Sequence, residues 1–255
     1  MLLAEKISTN SSIHKIEHNS SVSMALAITI ISVWFISIII LFRLDLANFP
    51  LVLIPLLIGL RTFIHTGIFI IIHDSIHGVI HDNKRINNSI GYLTAFLYAL
   101  LPYKTLSKNH HQHHRHPATE NDPDFFDRNP YNPFLWYASF MKDYQDGKQF
   151  WILFWGMTVI FWSFFLMDIA IVNMFLFWVL PIILSSIQLF IFGIYLPHRP
   201  LAEGYCDRHR ARSNNHSVLL SFITCYHFGY HWEHHQYPHL PWYKLPQARK
   251  NAKVS

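Results

Sequence analysis

Residues 51–77, LVLIPLLIGLRTFIHTGIFIIIHDSIH, join a long apolar run to a pair of histidines. The run 51–72 is long enough to cross a bilayer, and Arg61 is its only charged residue. His73 and His77 follow at a spacing of i, i+4, which places both on one face of a helix, one turn apart. The sequence therefore predicts a membrane span that carries two potential metal ligands at its end.

Three further apolar segments predict spans at about 24–42, 150–167 and 170–196. Between residues 150 and 196 the only charged residue is Asp168, so this stretch predicts a hairpin of two spans that turns there. The run 90–101 is too short to span and predicts a buried or interfacial helix. The predicted fold class is an all-α integral membrane protein with four transmembrane helices.

Composition supports this fold class and excludes others. The chain of 255 residues is 51% hydrophobic and 14% charged, whereas a soluble domain carries about 25% charged residues. Two cysteines are too few for a four-thiolate zinc site or a disulfide framework. Residues 1–23 are polar and predicted to be a disordered tail, and 24–255 are predicted to form one domain.

The positive charges predict the orientation. Of the 20 Lys and Arg residues, 18 lie in the segments 1–23, 73–149 and 198–255. The positive-inside rule makes these segments cytoplasmic, together with both termini and every histidine except His65. The net charge of +5 then indicates contact with anionic lipid rather than a nucleic-acid partner.

Two further histidine clusters repeat the helical spacing. His110-His-Gln-His-His114 and His231-Trp-Glu-His-His235 each place three histidines at i, i+3 and i+4, and His111 points elsewhere. His227 extends the last stripe by one turn, and His198 comes where the fourth span ends. The candidate metal ligands are His73, His77, His110, His113, His114, His198, His227, His231, His234 and His235.

The number of candidate ligands predicts two metal ions. Imidazole suits zinc, copper, iron and nickel. A structural zinc site would close at four ligands, so two redox-active irons with open positions are favoured. Metal-bound histidines usually donate their second N–H to a carboxylate, and the candidates for this role are Asp74, Asp122, Asp124 and Glu233. The alternatives are helix caps for the two aspartates beside Pro123 and a solvated face for Glu233.

The remaining histidines have simpler interpretations. His65 is predicted to pack within the bundle. A solvated position is predicted for His14, His18, His81, His209, His216 and His239. Arg61 is expected either to pair with a buried polar group or to line a cavity, since a charge at mid-span is otherwise costly.

The motifs HxxxH, HxxHH and HxxHH around four spans resemble the membrane di-iron superfamily of fatty-acid desaturases and hydroxylases. The sequence around these motifs is most similar to the bacterial and cyanobacterial β-carotene ketolases. The matching stretches are 69–78, 101–104, 110–117, 122–125, 134–137, 193–199, 224–231, 233–235 and 240–242.

The resemblance implies a cytoplasmic, histidine-rich cap that holds two iron ions and uses O2. It implies oxidation of C4 and C4′ of β-ionone rings by two hydroxylations and a dehydration, from β-carotene through echinenone to canthaxanthin. The substrate would come from the bilayer of a bacterial plasma membrane or a thylakoid. Reduced ferredoxin is the expected electron donor, and Arg208, Arg210 and Arg212 are the predicted docking residues.

Three other functions remain open on the sequence. An acyl-lipid or fatty-acid desaturase or hydroxylase would use the same di-iron centre on a fatty chain. A carotenoid ring hydroxylase would stop after the first oxidation. A metal transporter or sensor would need polar residues in several spans, and only the second span has them.

Overall fold

The computed structural model describes residues 18–253, and all regular structure within them is helical. In chain order the helices are α1 (Ser20–Phe42), α2 (Ile54–Ile76), α3 (Lys84–Ala99), α4 (Tyr103–Arg115), α5 (Pro133–Tyr144), α6 (Lys148–Leu166), α7 (Ile171–His198), α8 (Val218–Cys225), α9 (His231–Gln236) and α10 (Leu245–Lys253). A 3₁₀ turn, Leu51–Leu53, leads directly into α2.

Four helices are long and apolar enough to span a membrane: α1, α2 with its preceding turn, α6 and α7. The prediction of four membrane-length helices is confirmed. The α6–α7 hairpin turns at Asp168, which adopts a left-handed φ of 58°.

The first helix begins earlier than expected. Asn19 caps α1 by accepting hydrogen bonds from the backbone N–H groups of Ser21 and Val22, so the helix starts at Ser20. The prediction of a disordered tail is therefore wrong for 20–23. Residues 18 and 19 precede the helix, and 1–17 lie outside the described residues.

Helix α3 contains the short apolar run 90–101 as far as Ala99 and packs along α2, in agreement with the prediction of a helix that does not span. Gly91 allows this close approach, because a Cβ there would overlap Ser75 Oγ. The Ser75 hydroxyl donates to the carbonyl of Asn87 at 2.8 Å and lies 2.8 Å from Tyr103 Oη. These contacts fix the end of α2, where the first histidine pair lies, against α3 and the start of α4.

Helix α7 contains two π-helical stretches, Phe175–Val179 and Phe190–Tyr195. The i→i+5 register of a π-helix displaces carbonyls from their α-helical partners. Arg61 supplies a donor for one of them, since its Nε donates to the carbonyl of Phe177 at 3.1 Å. Its guanidinium also lies 4.8 Å from the centroid of the Trp34 ring. Pairing with a buried polar group is thus the correct alternative for Arg61.

His65 packs within the bundle as predicted. It is 1% exposed, and its Nδ1 accepts a hydrogen bond from Trp34 Nε1 at 3.0 Å.

The chain after α7 returns the last histidines to the ends of α2 and α4. Tyr226 and His227 adopt left-handed φ values of 46° and 64°, which turn the chain sharply between α8 and α9. Helix α9 has only six residues. An ion pair at 2.8 Å between Glu233 of α9 and Arg249 of α10 joins the two helices. The three histidine motifs therefore meet at one end of the four long helices.

Candidate metal centre and cavity

Eight histidines form two clusters, and within each cluster the ligand atoms all lie within 4.8 Å of one another. The first cluster contains His73, His77, His110 and His234. The second contains His113, His198, His231 and His235. Each cluster draws on three separate helices, so each depends on the tertiary fold and not on one local motif.

The nitrogen atoms in both clusters face each other at distances that suit a shared metal ion. In the first, the Nε2 atoms of His77 and His110 are 2.8 Å apart. In the second, His235 Nε2 lies 3.2 Å from His113 Nε2 and 3.1 Å from His231 Nε2. A metal bound by imidazoles at about 2.1 Å holds two ligand nitrogens at right angles about 3.0 Å apart. The donor set therefore fits two metal ions.

His114 lies between the two clusters. Its Nε2 is 2.8 Å from His234 Nε2, and its ring stacks on His235 with centroids 4.2 Å apart. Helix α4 thus directs His110 to the first cluster and His113 to the second, with His114 between them. His111 is exposed, and its Nδ1 donates to the carbonyl of Ser107 at 2.6 Å.

Burial favours the neutral form of three of these rings. Burial first, and the neighbouring imidazoles second, lower the pKa of His110, His114 and His234 well below the usual range. A neutral imidazole has a lone pair free to bind a metal ion. The clustering of imidazoles therefore favours metal binding over proton binding.

Asp122 orients His113. The His113 Nδ1–H donates to both carboxylate oxygens at 2.9 and 3.0 Å, which leaves Nε2 to face the cluster. Burial opposes ionisation of Asp122, but the charge and hydrogen bond of His113, with backbone N–H groups of Asp124 and Ala118, outweigh it and lower the carboxyl pKa. Asp122 is thus an anionic support for one candidate ligand.

The other three carboxylates have different partners. Asp74 Oδ1 lies 3.4 Å from His73 Nδ1, and Oδ2 accepts from the backbone N–H of Trp242. Asp124 accepts from Tyr144 Oη at 2.8 Å, and burial raises its pKa. Glu233 is only 3% exposed, so its solvated alternative is wrong. It accepts from Ser213 and pairs with Arg249, which holds α9 in place.

His198 and His227, the two less regular candidates, have different outcomes. His198 Nδ1 donates to the carbonyl of Arg210 at 2.9 Å, while its Nε2 is buried without a hydrogen-bond partner. His227 lies outside both clusters and stacks on Tyr230 with centroids 5.7 Å apart. The predicted stripe from His227 to His231 is wrong, because α9 begins only at His231.

Two of the histidines predicted to be solvated are not. His209 is 9% exposed, and its Nε2 lies 2.7 Å from Gln236 Oε1. His216 is half-buried, and its Nδ1 is enclosed. His239 is exposed and His18 and His81 are half-exposed, whereas His14 lies outside the described residues.

Two of the three predicted docking arginines donate hydrogen bonds that fix the loop after α7. Arg210 donates from Nη1 to the carbonyl of Ala118 at 3.0 Å, and Arg212 donates from Nε to the carbonyl of Leu196 at 2.9 Å. Arg208 is exposed. Substituting all three would therefore disturb the loop as well as any docking surface.

An apolar cavity of about 330 Å³ leads to the histidines. Its lining includes four histidines, His73, His110, His113 and His231, and four apolar residues of α6 and α7, Leu153, Met157, Ile182 and Ile183. Aromatic side chains form much of the remaining wall: Phe69, Tyr98, Tyr137, Phe140, Tyr144, Phe190 and Phe228. The cavity is therefore bounded both by the two membrane-length helices α6 and α7 and by the candidate metal centre.

The fatty acid desaturase family model matches residues 47–254. The chain belongs to the fatty acid desaturase family. This family is a group of di-iron enzymes. Membership of the chain in this family accounts for both the three histidine motifs and the membrane-length helices.

Within this family the chain is similar to ketolases. It is 42% identical over 214 residues to a β-carotene ketolase of Paracoccus sp. (strain PC1), covering 83% of this chain and 85% of that protein. It is 40% identical over 226 residues to a β-carotene ketolase of Paracoccus sp. (strain N81106 / MBIC 01143), covering 88% and 87%. It is 39% identical to a zeaxanthin 4-ketolase of Chlamydomonas reinhardtii, covering 75% of this chain and 43% of that protein. No solved structure matches the chain.

Proposed function

We propose that this family member is a β-carotene ketolase that oxidises C4 of β-ionone rings in the membrane. The observation that carries the proposal is the apolar cavity, whose wall includes side chains of α6 and α7 and histidines of both clusters. The similarity to β-carotene ketolases over most of both chains supports the same substrate.

The two clusters are the proposed iron sites. His73, His77, His110 and His234 would hold one ion, and His113, His198, His231 and His235 the other, with His114 between them. When bound, the two irons supply the O2-dependent redox chemistry that hydroxylates C4. The chain itself positions the ligands and the substrate.

The supporting carboxylates fix the rings of their histidines. Asp122 holds the Nδ1–H tautomer of His113, so that Nε2 is the atom available to a metal ion. Asp74 lies beside Nδ1 of His73 and is itself held by the backbone of Trp242. Both contacts keep the candidate ligands oriented before substrate arrives.

The cavity wall selects and orients the substrate. A β-ionone ring is apolar and bulky, and its C4 hydrogens are weakened because they are allylic. Phe69, one turn before His73, and Phe228, whose ring centroid lies 4.6 Å from that of His73, contribute apolar surface near the histidines, which excludes water and holds the ring. The polyene then extends along the apolar residues of α6 and α7 that line the cavity, among them Leu153 and Ile183.

Two successive hydroxylations at C4 give a geminal diol, and loss of one water gives the ketone. Each hydroxylation consumes one O2 and two electrons, and reduced ferredoxin is the proposed donor. β-Carotene is thereby converted to echinenone and, when both rings react, to canthaxanthin.

The test is expression in a bacterium that accumulates β-carotene, with pigments separated by chromatography and identified by mass. We expect echinenone and canthaxanthin, and no ketone from a control strain without the gene. Ring alcohols without ketone would instead identify a ring hydroxylase. Unchanged pigments with altered fatty-acid unsaturation or hydroxylation would identify an acyl-lipid enzyme.

We also propose that the metal centre faces the cytoplasm of a multi-pass protein, because the positive charges lie mostly at the histidine end. Reporter fusions at residues 45 and 168 should be external, and a fusion at the C-terminus should be internal. A reporter active in the cytoplasm at either 45 or 168 would contradict this orientation.

A further inference from the structure

A polar pair interrupts the apolar wall of the cavity near the metal centre. Tyr144, the last residue of α5, donates from Oη to Asp124 Oδ1 at 2.8 Å, and both residues line the cavity. Asp124 is 5% exposed, and its backbone carbonyl accepts from Trp136 Nε1 at 2.8 Å. The pair is therefore held in place from two sides.

This pair lies beside the second histidine cluster. A carboxylate oxygen of Asp124 lies within 4.8 Å of a ring nitrogen of His113. The other tyrosine hydroxyls of the cavity pair with serines of the fourth span: Tyr137 Oη lies 2.7 Å from Ser186 Oγ, and Tyr98 Oη 3.1 Å from Ser185 Oγ. The Tyr144 hydroxyl is distinct because its partner is a carboxyl group next to a candidate ligand.

A hydroxyl group on the substrate would need such a partner. In an apolar cavity an unpaired hydroxyl loses its hydrogen bonds to water without replacement. A tyrosine oxygen accepts through its lone pairs while its own hydrogen is donated elsewhere. The Asn109 side chain already donates to the Tyr144 oxygen, so the second lone pair of this oxygen is the one that can accept from a substrate hydroxyl while the bond to Asp124 is kept.

We propose that Tyr144, held by Asp124, binds the C4 hydroxyl of the once-hydroxylated ring and positions that ring for the second hydroxylation. The inference rests on the proposed ketolase function and adds a residue that distinguishes its two oxidation steps. Before the first hydroxylation C4 carries only hydrogen, so the pair has nothing to bind. After it, the hydrogen bond fixes the hydroxyl on one side and leaves the remaining C4 hydrogen towards the histidines.

The test compares two substrates on the purified enzyme in lipid, with reduced ferredoxin and matched iron content. The substrates are β-carotene and 4-hydroxy-β-carotene. We expect Tyr144→Phe to consume β-carotene within about twofold of the wild-type rate. Its kcat/KM for the oxidation of 4-hydroxy-β-carotene at the hydroxylated ring should fall about tenfold, the effect of one lost hydrogen bond. The C4 alcohol should then accumulate during turnover of β-carotene.

The control is Tyr195→Phe, which removes a hydroxyl that donates to the carbonyl of Tyr131 and does not line the cavity. It should leave both rates unchanged. Asp124→Asn is a second variant, which weakens the hydrogen bond that holds Tyr144. It should also slow the oxidation of the alcohol more than the oxidation of β-carotene.

The outcomes separate this inference from the proposed function. If the wild-type enzyme oxidises neither substrate, the ketolase function itself is wrong. If the wild-type enzyme makes ketone, while Tyr144→Phe slows the oxidation of both substrates equally or slows the oxidation of neither, only the proposed role of Tyr144 is wrong. Poor folding of Tyr144→Phe would leave Asp124→Asn to decide, and an unchanged ratio of the two rates there would overturn the inference.

Discussion

His110→Ala should abolish ketone formation, whereas His111→Ala should leave it within about twofold of the wild-type level. The two histidines are adjacent in one motif, but only His110 faces the first cluster, and His111 is exposed. Loss of a metal ligand should lower activity by more than about 100-fold, because even removal of a residue that supports a ligand costs 10–100-fold. Ketone per unit of protein in β-carotene-accumulating cells measures the difference.

The iron content of the purified variants completes this test. His110→Ala should bind less iron than the wild type, and His111→Ala the same amount. Near-normal ketone formation by His110→Ala at matched protein levels would contradict the assignment of the first cluster as a metal site.

Asp122→Asn should lower the affinity for iron by about 10–100-fold while leaving the protein folded. The carboxylate accepts the Nδ1–H of His113 through both oxygens, and an amide supplies only one acceptor and no charge. His113 would then lose both its fixed orientation and the anion that strengthens it as a ligand. Iron retained during titration with a chelator measures the effect.

Asp127→Asn is the matched control, since Asp127 lies in the same segment and is exposed. It should hold iron as the wild type does. Equal iron retention by the two variants would show that Asp122 contributes to loop structure and not to the metal centre.

Local periodicity was enough to predict most of the histidines that form the two clusters. The i, i+3 and i+4 spacing of His231, His234 and His235 is a property of one helical turn, and α9 has that form. The four long helices could also be predicted, because each corresponds to an uninterrupted apolar run in the sequence. The assignment of His113 to one cluster and His110 to the other could not be predicted from the sequence, since it depends on which helices pack against each other.

Predictions from the sequence failed where the backbone departs from regular structure or where residues distant in the sequence are in contact. His227 shares the helical spacing, but the left-handed turn at Tyr226 and His227 removes it from α9. His209 appears polar and exposed in sequence, yet Gln236 of α9 covers it. Arg61 pairs with a carbonyl in a π-helical stretch of α7, and no sequence signal in the second span indicates that partner.

The cavity could not be predicted from the sequence either. The chain has 21 Phe, 8 Trp and 12 Tyr residues, and packing in a membrane bundle explains most of them. Which aromatic side chains surround a void depends on contacts among α2, α5, α6 and α7. The hydrogen bond of Tyr144 to Asp124 joins residues 20 positions apart across an irregular loop, a distance that helical periodicity does not reach.

The third membrane-length helix, α6, lines the cavity with one face and exposes the opposite face. None of its residues is buried, and Leu153 and Met157 line the cavity while Trp155 and Trp162 are exposed. A carotenoid that enters past this helix exchanges lipid tails for apolar side chains and never meets water, so hydrophobic transfer contributes almost nothing to its binding. Its effective concentration is then its mole fraction in the bilayer. Added inert lipid should slow turnover by surface dilution, even though the amounts of enzyme and carotenoid per millilitre stay the same.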